Sequence, residues 1–358
     1  MSRIVISGYY GFDNLGDEAV LAATVQELRR RRPDAEIAVL SAAPDATART
    51  HGIRGVARTA PGAIAGVLRG ADLLLCGGGS LFQDATSWRS PWYYLGVLSL
   101  GRRLARRTAV HAQGIEPPTR ATVRAGVAYV VDRVDLVTLR DRTSQSVLAS
   151  LGVRRPRIVV SADPSWLLEP DWSAAAVAER ARWGAGPRFG LALRAWGSGA
   201  AVRAAVAAAR AVTARLGVRW VLLPMHRPWD LAVADEVAGE LGDIATVVRA
   251  PLGPREILAL VGALDVLVGM RLHALLFAAA QGVPIVPVAY DPKVTALARE
   301  LGEPDPAGAE SIAPDDLVAS IDRAVAERAA NRARLLAAAA PLRDRAKLAP
   351  ALAADLLA

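Results

Sequence analysis

Short runs of apolar residues alternate with longer helix-like segments along the whole chain. The apolar runs have the length of strands, whereas segments such as Glu18–Arg31 and Thr119–Val131 have the length of helices. In the first half of the chain, this pattern predicts strands at Ile4–Ile6, Ile37–Leu40, Leu73–Cys76, Ala109–Ala112 and Val134–Leu139. In the second half, it predicts strands at Gly190–Leu193, Trp220–Leu223, Thr246–Val248, Val266–Val268 and Ile285–Val288.

The alternation of strands with helices predicts parallel sheets that carry helices on both faces. Strands buried on both faces explain why the runs are continuously apolar rather than alternating. A stretch between Asp163 and Pro187 is rich in proline, glycine and tryptophan and marks a domain boundary. The predicted fold is therefore α/β, with two doubly wound, Rossmann-like domains facing a central cleft. Ligands of such sheets bind outside the carboxyl ends of the strands.

The length of 358 residues agrees with two domains, and the 53% of hydrophobic residues can fill two sizeable cores. We expect an N-terminal domain over residues 1–165 and a C-terminal domain over residues 186–326. C-terminal helices then occupy residues 327–358, a segment rich in alanine and arginine. These helices are expected to pack on the second domain or to reach back to the first.

The net charge of +8 favours acidic ligands, anionic membrane surfaces or nucleic acid. Because the arginines are scattered and few aromatic residues lie among them, we expect no nucleic-acid partner. The segment Gly101–Arg107 is interpreted as a solvated helix face, and a membrane-facing patch is the alternative.

The single cysteine, Cys76, excludes a disulfide framework and a thiolate zinc site. Its apolar neighbours predict a buried, unreactive thiol. No apolar run has the length of a signal peptide or of a membrane span, so we expect a cytoplasmic protein with peripheral contact at the inner face of the plasma membrane. The His and Asp residues show no ligand spacing, so we expect no metal. The sequence does not predict the number of subunits.

The opening loop, which follows the first strand, has the strand–glycine–helix outline of a phosphate cradle. It nevertheless carries Asn14, Asp17 and Glu18, whose carboxylates would repel a phosphate. Asp17 as a simple helix cap is the alternative interpretation.

Two further loops of the first half follow predicted strands. Three glycines, Gly77–Gly79, let backbone N–H groups approach a ligand closely, and Ser80 follows them; a tight structural turn is the alternative. Gln113 ends a buried strand. His111 would share its face of that strand and is interpreted as a buried core histidine.

Cations cluster at predicted strand ends in the second half. Arg271 and His273 fall in the first turn of a helix, where free N–H groups favour anions and a histidine can transfer protons near neutral pH. Lys293 follows the next strand, and Arg194 and Arg140 end other strands. We expect these residues to make a basic cleft in the second domain. A structural histidine and a surface lysine are the alternatives for His273 and Lys293.

The sequence resembles the polysaccharide pyruvyl transferase family, in the branch that pyruvylates secondary cell-wall polymer precursors of bacteria. The segments that carry the resemblance occur in family order between residues 7 and 293: GYYGFDNLGDE, GGGSLFQD, AQGI, LRD, ADP, GMRLHALL and VPIVPVAYDPK. The chain departs from the family pattern at Glu116, where a glycine would be expected. The resemblance implies a GT-B-like fold, phosphoenolpyruvate as donor, no other cofactor, and a role in S-layer anchoring. The acceptor would be a lipid-linked amino-sugar disaccharide that receives a 4,6-pyruvate ketal on N-acetylmannosamine.

The resemblance also assigns roles to the candidate residues. His273 resembles the family's general acid/base, and Arg140, Arg271 and Lys293 resemble residues that hold the donor. We add Arg194 to the donor site and make Asp17 the candidate base. The residues assigned to the acceptor are Asn14, Glu18, Gly78, Gly79, Ser80 and Gln113.

Two other functions stay open. A sugar-nucleotide glycosyltransferase on the same fold would need a carboxylate to hold a ribose near Lys293. A non-catalytic glycan-binding protein would keep the basic cleft and tolerate loss of His273.

Overall fold

A computed structural model of the protein describes residues 2–85 and 87–357 and divides into two compact units. Unit 1 contains the residues up to Phe12, then Asp17–Leu167, and the residues from Leu342 onward. Unit 2 contains Leu168–Pro341 together with the short segment Asp13–Gly16. The tip of the opening loop is therefore part of unit 2, although the chain on either side of it belongs to unit 1.

Unit 1 is built on a seven-stranded parallel sheet of order β3-β2-β1-β4-β5-β6-β7. Its strands, β1 to β7, are Arg3–Ser7, Glu36–Ser41, Arg54–Ala57, Leu73–Gly77, Arg107–Gln113, Leu136–Leu139 and Arg157–Val160. Its helices, α1 to α6, are Leu15–Arg31, Pro44–His51, Pro61–Leu68, Ser90–Leu104, Ala121–Val131 and Arg142–Ser150. The strand order reverses between β1 and β4, the arrangement of a doubly wound fold.

The strands of unit 1 are apolar throughout because their alternate residues fill two different cores. Ile4 and Ile6 of β1 belong to one cluster, and Val5 belongs to the other. Cys76 lies in the second cluster, fully buried, and burial raises the pKa of its thiol to about 12. The interpretation of Cys76 as an unreactive thiol is thus confirmed.

Unit 2 is built on a five-stranded parallel sheet of order β10-β9-β8-β11-β12, which reverses between β8 and β11. Its strands, β8 to β12, are Arg188–Ala192, Arg219–Leu222, Ala245–Val247, Val266–Gly269 and Ile285–Pro287. Its helices, α7 to α13, are Ala174–Ala181, Ala200–Leu216, Trp229–Leu241, Pro254–Gly262, Leu272–Gln281, Pro292–Glu300 and Pro314–Ala326. Two further helices, α14 (Arg328–Ala346) and α15 (Leu348–Asp355), complete the described chain. The two sheets confirm the predicted doubly wound α/β class.

The C-terminal helices connect back to unit 1. The α14 helix continues past Leu342 into that unit, and α15 packs against β5 and β6. Ala353 of α15 is part of the core that contains Ile4 and Ile6. Among the described helices, none has both the length and the apolar character needed to cross a bilayer.

The two strands that the hydrophobic pattern missed both lie at the edges of the unit 1 sheet. Only Val56 of β3 is buried, and the residues of β7 are half-buried or exposed. An edge strand has a neighbour on one side only, so its sequence carries a weaker apolar signal. Helix α7 was also missed, since it lies in the segment interpreted as an irregular boundary.

A β-bulge in β5 separates His111 from Gln113. The register with β6 shifts between Val110 and Gln113, and Ala112 adopts a left-handed φ of 44°. Strict alternation across these residues is therefore lost. His111 is buried and hydrogen-bonded to the Thr24 hydroxyl at 3.2 Å, which confirms its interpretation as a core histidine.

Burial of His111 predicts a specific loss of stability in acid. It lowers the pKa of this imidazole to about 4, against 6.5 for an exposed histidine. The unfolded chain therefore takes up a proton as the pH falls below 6.5, and the folded chain does so only near pH 4. This contribution lowers the free energy of unfolding by about 3 kcal/mol across that window.

Urea unfolding of the wild type and of His111→Gln at several values in that pH range measures the effect. The stability difference between the two proteins should shrink as the pH falls, because glutamine does not titrate. A difference that is independent of pH would contradict the prediction.

Candidate functional site

The strand orders place a candidate ligand site at the carboxyl edge of each sheet. In doubly wound sheets, ligands bind beside the strands where the order reverses. In unit 1 this position lies after β1 and β4, at the opening loop and Gly77–Gly79. In unit 2 it lies after β8 and β11, at Arg194 and the segment Arg271–His273.

Backbone hydrogen bonds fix the start of α11 in unit 2. The N–H groups of Met270 and Arg271 both donate to the Ala192 carbonyl at the end of β8, at 3.0 and 3.4 Å. Arg271 is the N-terminal cap residue of α11, and His273 is the second residue of the helix. The predicted strand–helix junction is confirmed, and it places the histidine among the free N–H groups of the first turn.

A buried carboxylate holds the side chain of Arg271. Asp230, in the first turn of α9, is 1% exposed and accepts hydrogen bonds from Arg271 Nε at 2.8 Å and from Arg271 Nη2. It also accepts from the N–H groups of Met225 at 3.1 Å and His226 at 2.9 Å. The guanidinium is therefore held in one orientation, and its charge is locally balanced.

The tip of the opening loop lies against this part of unit 2. Leu15 N–H donates to the Met225 carbonyl at 2.8 Å, and Asn14 forms an antiparallel β-bridge with His226. Asn14 Oδ1 accepts from Gly16 N–H at 3.1 Å and so shapes the turn. Asn14, predicted to bind the acceptor from the N-terminal domain, is thus built into the unit that contains His273.

Gly16 packs directly on the His273 imidazole. A Cβ atom at residue 16 would lie 2.1 Å from His273 Nδ1, far inside van der Waals contact. Because the φ angle of Gly16 is not left-handed, it is this close approach, and not the backbone conformation, that requires glycine.

Two predicted donor cations flank the ring of Tyr290 in unit 2. The Arg194 guanidinium lies 4.5 Å from the ring centroid, and Lys293 Nζ lies 5.7 Å from it. Lys293 Nζ also pairs with Asp291 at 2.9 Å, and the same carboxylate caps α12 by accepting from Lys293 N–H. Within the part of the chain that the structure describes, Arg194 has no carboxylate partner.

The predicted acceptor residues of unit 1 converge on Gly79. Its carbonyl accepts from Gln113 Nε2 and from Gly114 N–H, each at 2.9 Å. A Cβ on Gly79 would lie 2.7 Å from Asp17 Oδ1, and Gly78 and Gly79 both adopt left-handed φ angles. Gln113 Oε1 is buried and has no hydrogen-bond partner among the described residues, so a ligand hydroxyl can donate to it.

Arg140 lies in unit 1, beside the predicted acceptor residues. Its side chain is 10% exposed, and its Nη2 donates to Ser80 Oγ at 3.3 Å. The expectation that Arg140 joins the basic residues of the second domain is wrong, because Arg140 follows β6 of the first sheet. Its assignment to the donor stays a prediction.

Glu18 has structural partners on both oxygens. Oε1 accepts from Gly11 N–H at 2.8 Å, and Oε2 lies 2.7 Å from His51 Nε2. These contacts hold the opening loop onto the end of α2. Glu18 therefore positions this loop, and its assignment to the acceptor stays a prediction.

Three side chains of these sites escaped prediction. Asp230 and His226 lie in a loop and first turn without hydrophobic periodicity, so no pattern pointed to them. Arg58 follows the missed strand β3, and its guanidinium lies over the rings of Tyr93 at 4.2 Å and Phe12 at 4.8 Å. It therefore adds a cation to an aromatic cluster beside the opening loop.

The described residues contain no group of three or more His, Cys, Asp or Glu side chains placed to hold a metal ion. Besides carboxylates that are paired with cations or backbone N–H groups, the polar groups at the two sheet edges are cations, amides, a serine hydroxyl, a histidine and the buried Asp17. Such groups suit an anionic ligand in unit 2 and a hydroxyl-bearing ligand in unit 1.

A family model for polysaccharide pyruvyl transferase matches residues 14–292. No curated protein matches the chain. Among solved structures, the chain is similar to Anabaena HepE in complex with UDP and glucose, with 14% identity, a TM-score of 0.62 and coverage of 96% of this chain and 95% of that one. It is also similar to the S. aureus MnaA–UDP structure, with 14% identity, a TM-score of 0.67 and coverage of 96% and 92%. A putative UDP-N-acetylglucosamine 2-epimerase from Listeria monocytogenes gives 12% identity, a TM-score of 0.65 and coverage of 97% and 94%. These likenesses show the GT-B-like fold alone.

The buried ion pair predicts strong coupling between Asp230 and Arg271. Asp230→Ala should destabilise the protein by about 3–5 kcal/mol, since it leaves a half-buried guanidinium and two N–H groups unpaired. Arg271→Ala should destabilise the protein less than Asp230→Ala does, because Asp230 keeps its two backbone N–H donors. Urea unfolding of both single variants and the double variant measures the coupling.

The exposed pair of Asp235 and Arg249 is a matched control, since Asp235 lies on the same helix as Asp230. The double-mutant cycle of this exposed pair should give a coupling free energy of about 1 kcal/mol or less. Equal coupling energies in the two cycles would refute the structural role given to Asp230.

Proposed function

The chain belongs to the polysaccharide pyruvyl transferase family, and we propose that it transfers the pyruvyl group of phosphoenolpyruvate to a sugar. The acceptor is N-acetylmannosamine of a lipid-linked cell-wall polysaccharide precursor, and the product is a 4,6-ketal with release of phosphate. The observation that supports this most is the set of side chains at the carboxyl edge of the unit 2 sheet. There His273 accompanies Arg194, Arg271 and Lys293 at the ends of adjacent strands.

Phosphoenolpyruvate carries a carboxylate and a phosphate, and the cations of unit 2 can bind both. Arg271 offers a planar fork whose orientation Asp230 fixes. Arg194 and the free N–H groups of α11 supply positive charge that no described carboxylate balances. Lys293 has a flexible chain and can exchange Asp291 for a donor oxygen.

His273 is the proton carrier of the proposed reaction. It protonates the methylene carbon of the donor, and a sugar hydroxyl then adds to C2. A second hydroxyl of the same sugar displaces phosphate and closes the ketal ring. Each hydroxyl loses a proton as its bond to C2 forms, so the reaction needs a base as well as an acid. No further cofactor takes part.

Unit 1 supplies the proposed acceptor site. Asp17, 8% exposed and adjacent to Gly79, is the candidate base for a sugar hydroxyl. Gln113 Oε1, Ser80 and the backbone of Gly78 and Gly79 are the groups that orient the sugar. The carboxylate, hydroxyl and amide groups found there can form hydrogen bonds with the hydroxyls of a neutral sugar.

A phosphate-release assay with phosphoenolpyruvate and lipid-linked N-acetylmannosamine acceptor analogues tests the proposal. Phosphate should appear only when both substrates are present, and mass spectrometry should detect a pyruvylated acceptor. Phosphate release without acceptor, or an unmodified acceptor, would count against the proposed transfer.

A sugar-nucleotide glycosyltransferase is the second candidate, because two of the similar structures contain UDP. Such an enzyme needs a carboxylate for the ribose near the end of β12. Asp291 is at that position, but it is engaged with Lys293 and with the start of α12. The change in melting temperature caused by UDP-sugars, compared with the change caused by phosphoenolpyruvate, separates the two functions. We expect phosphoenolpyruvate to stabilise the protein.

Replacement of His273 by glutamine should remove the proton transfer and keep the shape of the side chain. We expect phosphate release to fall at least about 100-fold, as is typical for loss of a general acid or base. The thermal shift caused by phosphoenolpyruvate should persist, since the cations remain. Normal turnover in this variant would show that another group transfers the proton.

The two lysines of the chain provide a matched pair for the donor site. Lys293 and Lys347 each pair with an aspartate at 2.9 Å, but Lys347 lies between α14 and α15 and belongs to unit 1. Lys293→Gln should raise the KM for phosphoenolpyruvate about 10-fold or more, the loss of one charge-assisted contact. Lys347→Gln should leave this KM unchanged. Equal KM values in the two variants would remove Lys293 from the donor site.

A further inference from the structure

One helical layer of unit 1 contains no carboxylates. Helices α3, α4 and α5 pack side by side, and none of the three contains Asp or Glu. Between Trp88 and Val131 the chain has seven arginines and a single acidic residue, Glu116. This part of the surface is therefore strongly positive, without the mixture of charges typical of a solvated helix face.

Large aromatic side chains are exposed on the same layer. Trp88, Trp92 and Tyr129 are 52%, 41% and 61% exposed. Trp92 of α4 lies across Gly126 of α5, where a Cβ would be 2.9 Å from the indole, and Tyr129 is one helical turn further along α5. The aromatic groups of the two helices thus lie on a common face.

Exposed arginines surround these aromatic groups. The Arg89 guanidinium lies 5.3 Å from the Trp88 ring. Arg103 follows Trp92 along one exposed stripe of α4 at helical spacing, and Arg120 is the exposed cap residue of α5. We call this surface the α4–α5 face and define it by Trp88, Arg89, Trp92, Arg103, Arg120 and Tyr129.

We propose that the α4–α5 face binds the surface of an anionic phospholipid bilayer. Tryptophan and tyrosine favour the headgroup level, where the ring is partly apolar and its polar atom stays hydrated. Arginines are attracted to anionic headgroups, and each contributes to binding within a Debye length of the surface. None of the three helices carries an acidic side chain that would oppose this attraction.

The position of this face fits the proposed lipid-linked acceptor, and this step rests on the proposed function. In parallel sheets, the helix that follows a strand begins at the carboxyl edge, so Trp88 and Arg120 lie toward the edge that carries Gly77–Gly79. Asp84 ties these segments together, since its carboxylate accepts from the N–H groups of Thr119 at 2.7 Å and Arg120 at 2.9 Å. Docking of the face brings the acceptor residues to the bilayer surface, where the lipid holds the sugar.

Cosedimentation with phosphatidylglycerol and phosphatidylcholine vesicles, without substrate, tests the proposal. The full chain should bind phosphatidylglycerol vesicles at least about 10-fold more tightly than phosphatidylcholine ones, and salt should weaken the binding. Two variants of the face should each bind phosphatidylglycerol vesicles about 10-fold more weakly or worse. One is the triple variant Arg89→Glu, Arg103→Glu, Arg120→Glu, and the other is the double variant Trp88→Ser, Tyr129→Ser.

Matched variants on other surfaces serve as controls. Arg31→Glu, Arg49→Glu, Arg54→Glu makes the same change in charge with three exposed arginines of unit 1 outside this layer, and Trp172→Ser removes an exposed indole of unit 2. Both controls should bind vesicles like the wild type. Equal losses in the two charge variants would mean that net charge alone drives binding and would overturn the proposal.

Sedimentation velocity separates the bilayer from a second copy of the chain as the occupant. A dimer that dissociates in the Trp88→Ser, Tyr129→Ser variant would identify the face as a self-interface and reject the membrane. Phosphate release with a water-soluble acceptor analogue should be unchanged in the face variants. Vesicle binding and transfer are thus measured separately, so failure of the proposed activity would not be mistaken for failure of membrane docking.

Discussion

The close packing of Gly16 on the His273 imidazole is the constraint on which the rest of the unit 2 site depends. It brings a segment from the start of the chain, Asp13–Gly16, into the unit formed mainly by residues 168–341. The hydrogen bond from Leu15 to Met225 and the bridge between Asn14 and His226 hold that segment in place. The proposed proton carrier is therefore packed against a residue more than 250 positions away in the sequence.

Carboxylates determine how the cations of this site behave. Asp230 is almost fully buried and fixes Arg271, whereas Asp291 pairs with a partly exposed Lys293. A fixed guanidinium recognises the geometry of an anion, and a flexible ammonium can follow charge as it moves during phosphate departure. Arg194, stacked on Tyr290, contributes the charge that no described acidic side chain offsets.

The hydrophobic pattern was sufficient to predict the fold but only part of the site. The ten predicted strands are all present. They could be identified from the sequence because strands buried on both faces form continuous apolar runs. The edge strand β3 lacks such a run, and Arg58 was missed with it. Contacts between residues far apart in the sequence could not be predicted from the hydrophobic pattern either. Glu18 contacts His51, 33 positions later, and Arg271 contacts Asp230, 41 positions earlier. Arg140 was recognised as a strand-end cation but grouped with the wrong sheet.

Turnover of Gly16→Ala tests most directly whether the site around His273 performs the chemistry. The added methyl group must displace the imidazole or the loop, while Gly62→Ala, in open space on α3, is the control. We predict that Gly16→Ala keeps its fold, measured by circular dichroism, and its stabilisation by phosphoenolpyruvate. Its phosphate release should fall about as far as it would on loss of the general acid or base. Gly62→Ala should be fully active. Unchanged phosphate release in a folded Gly16→Ala protein would contradict the central role given to His273.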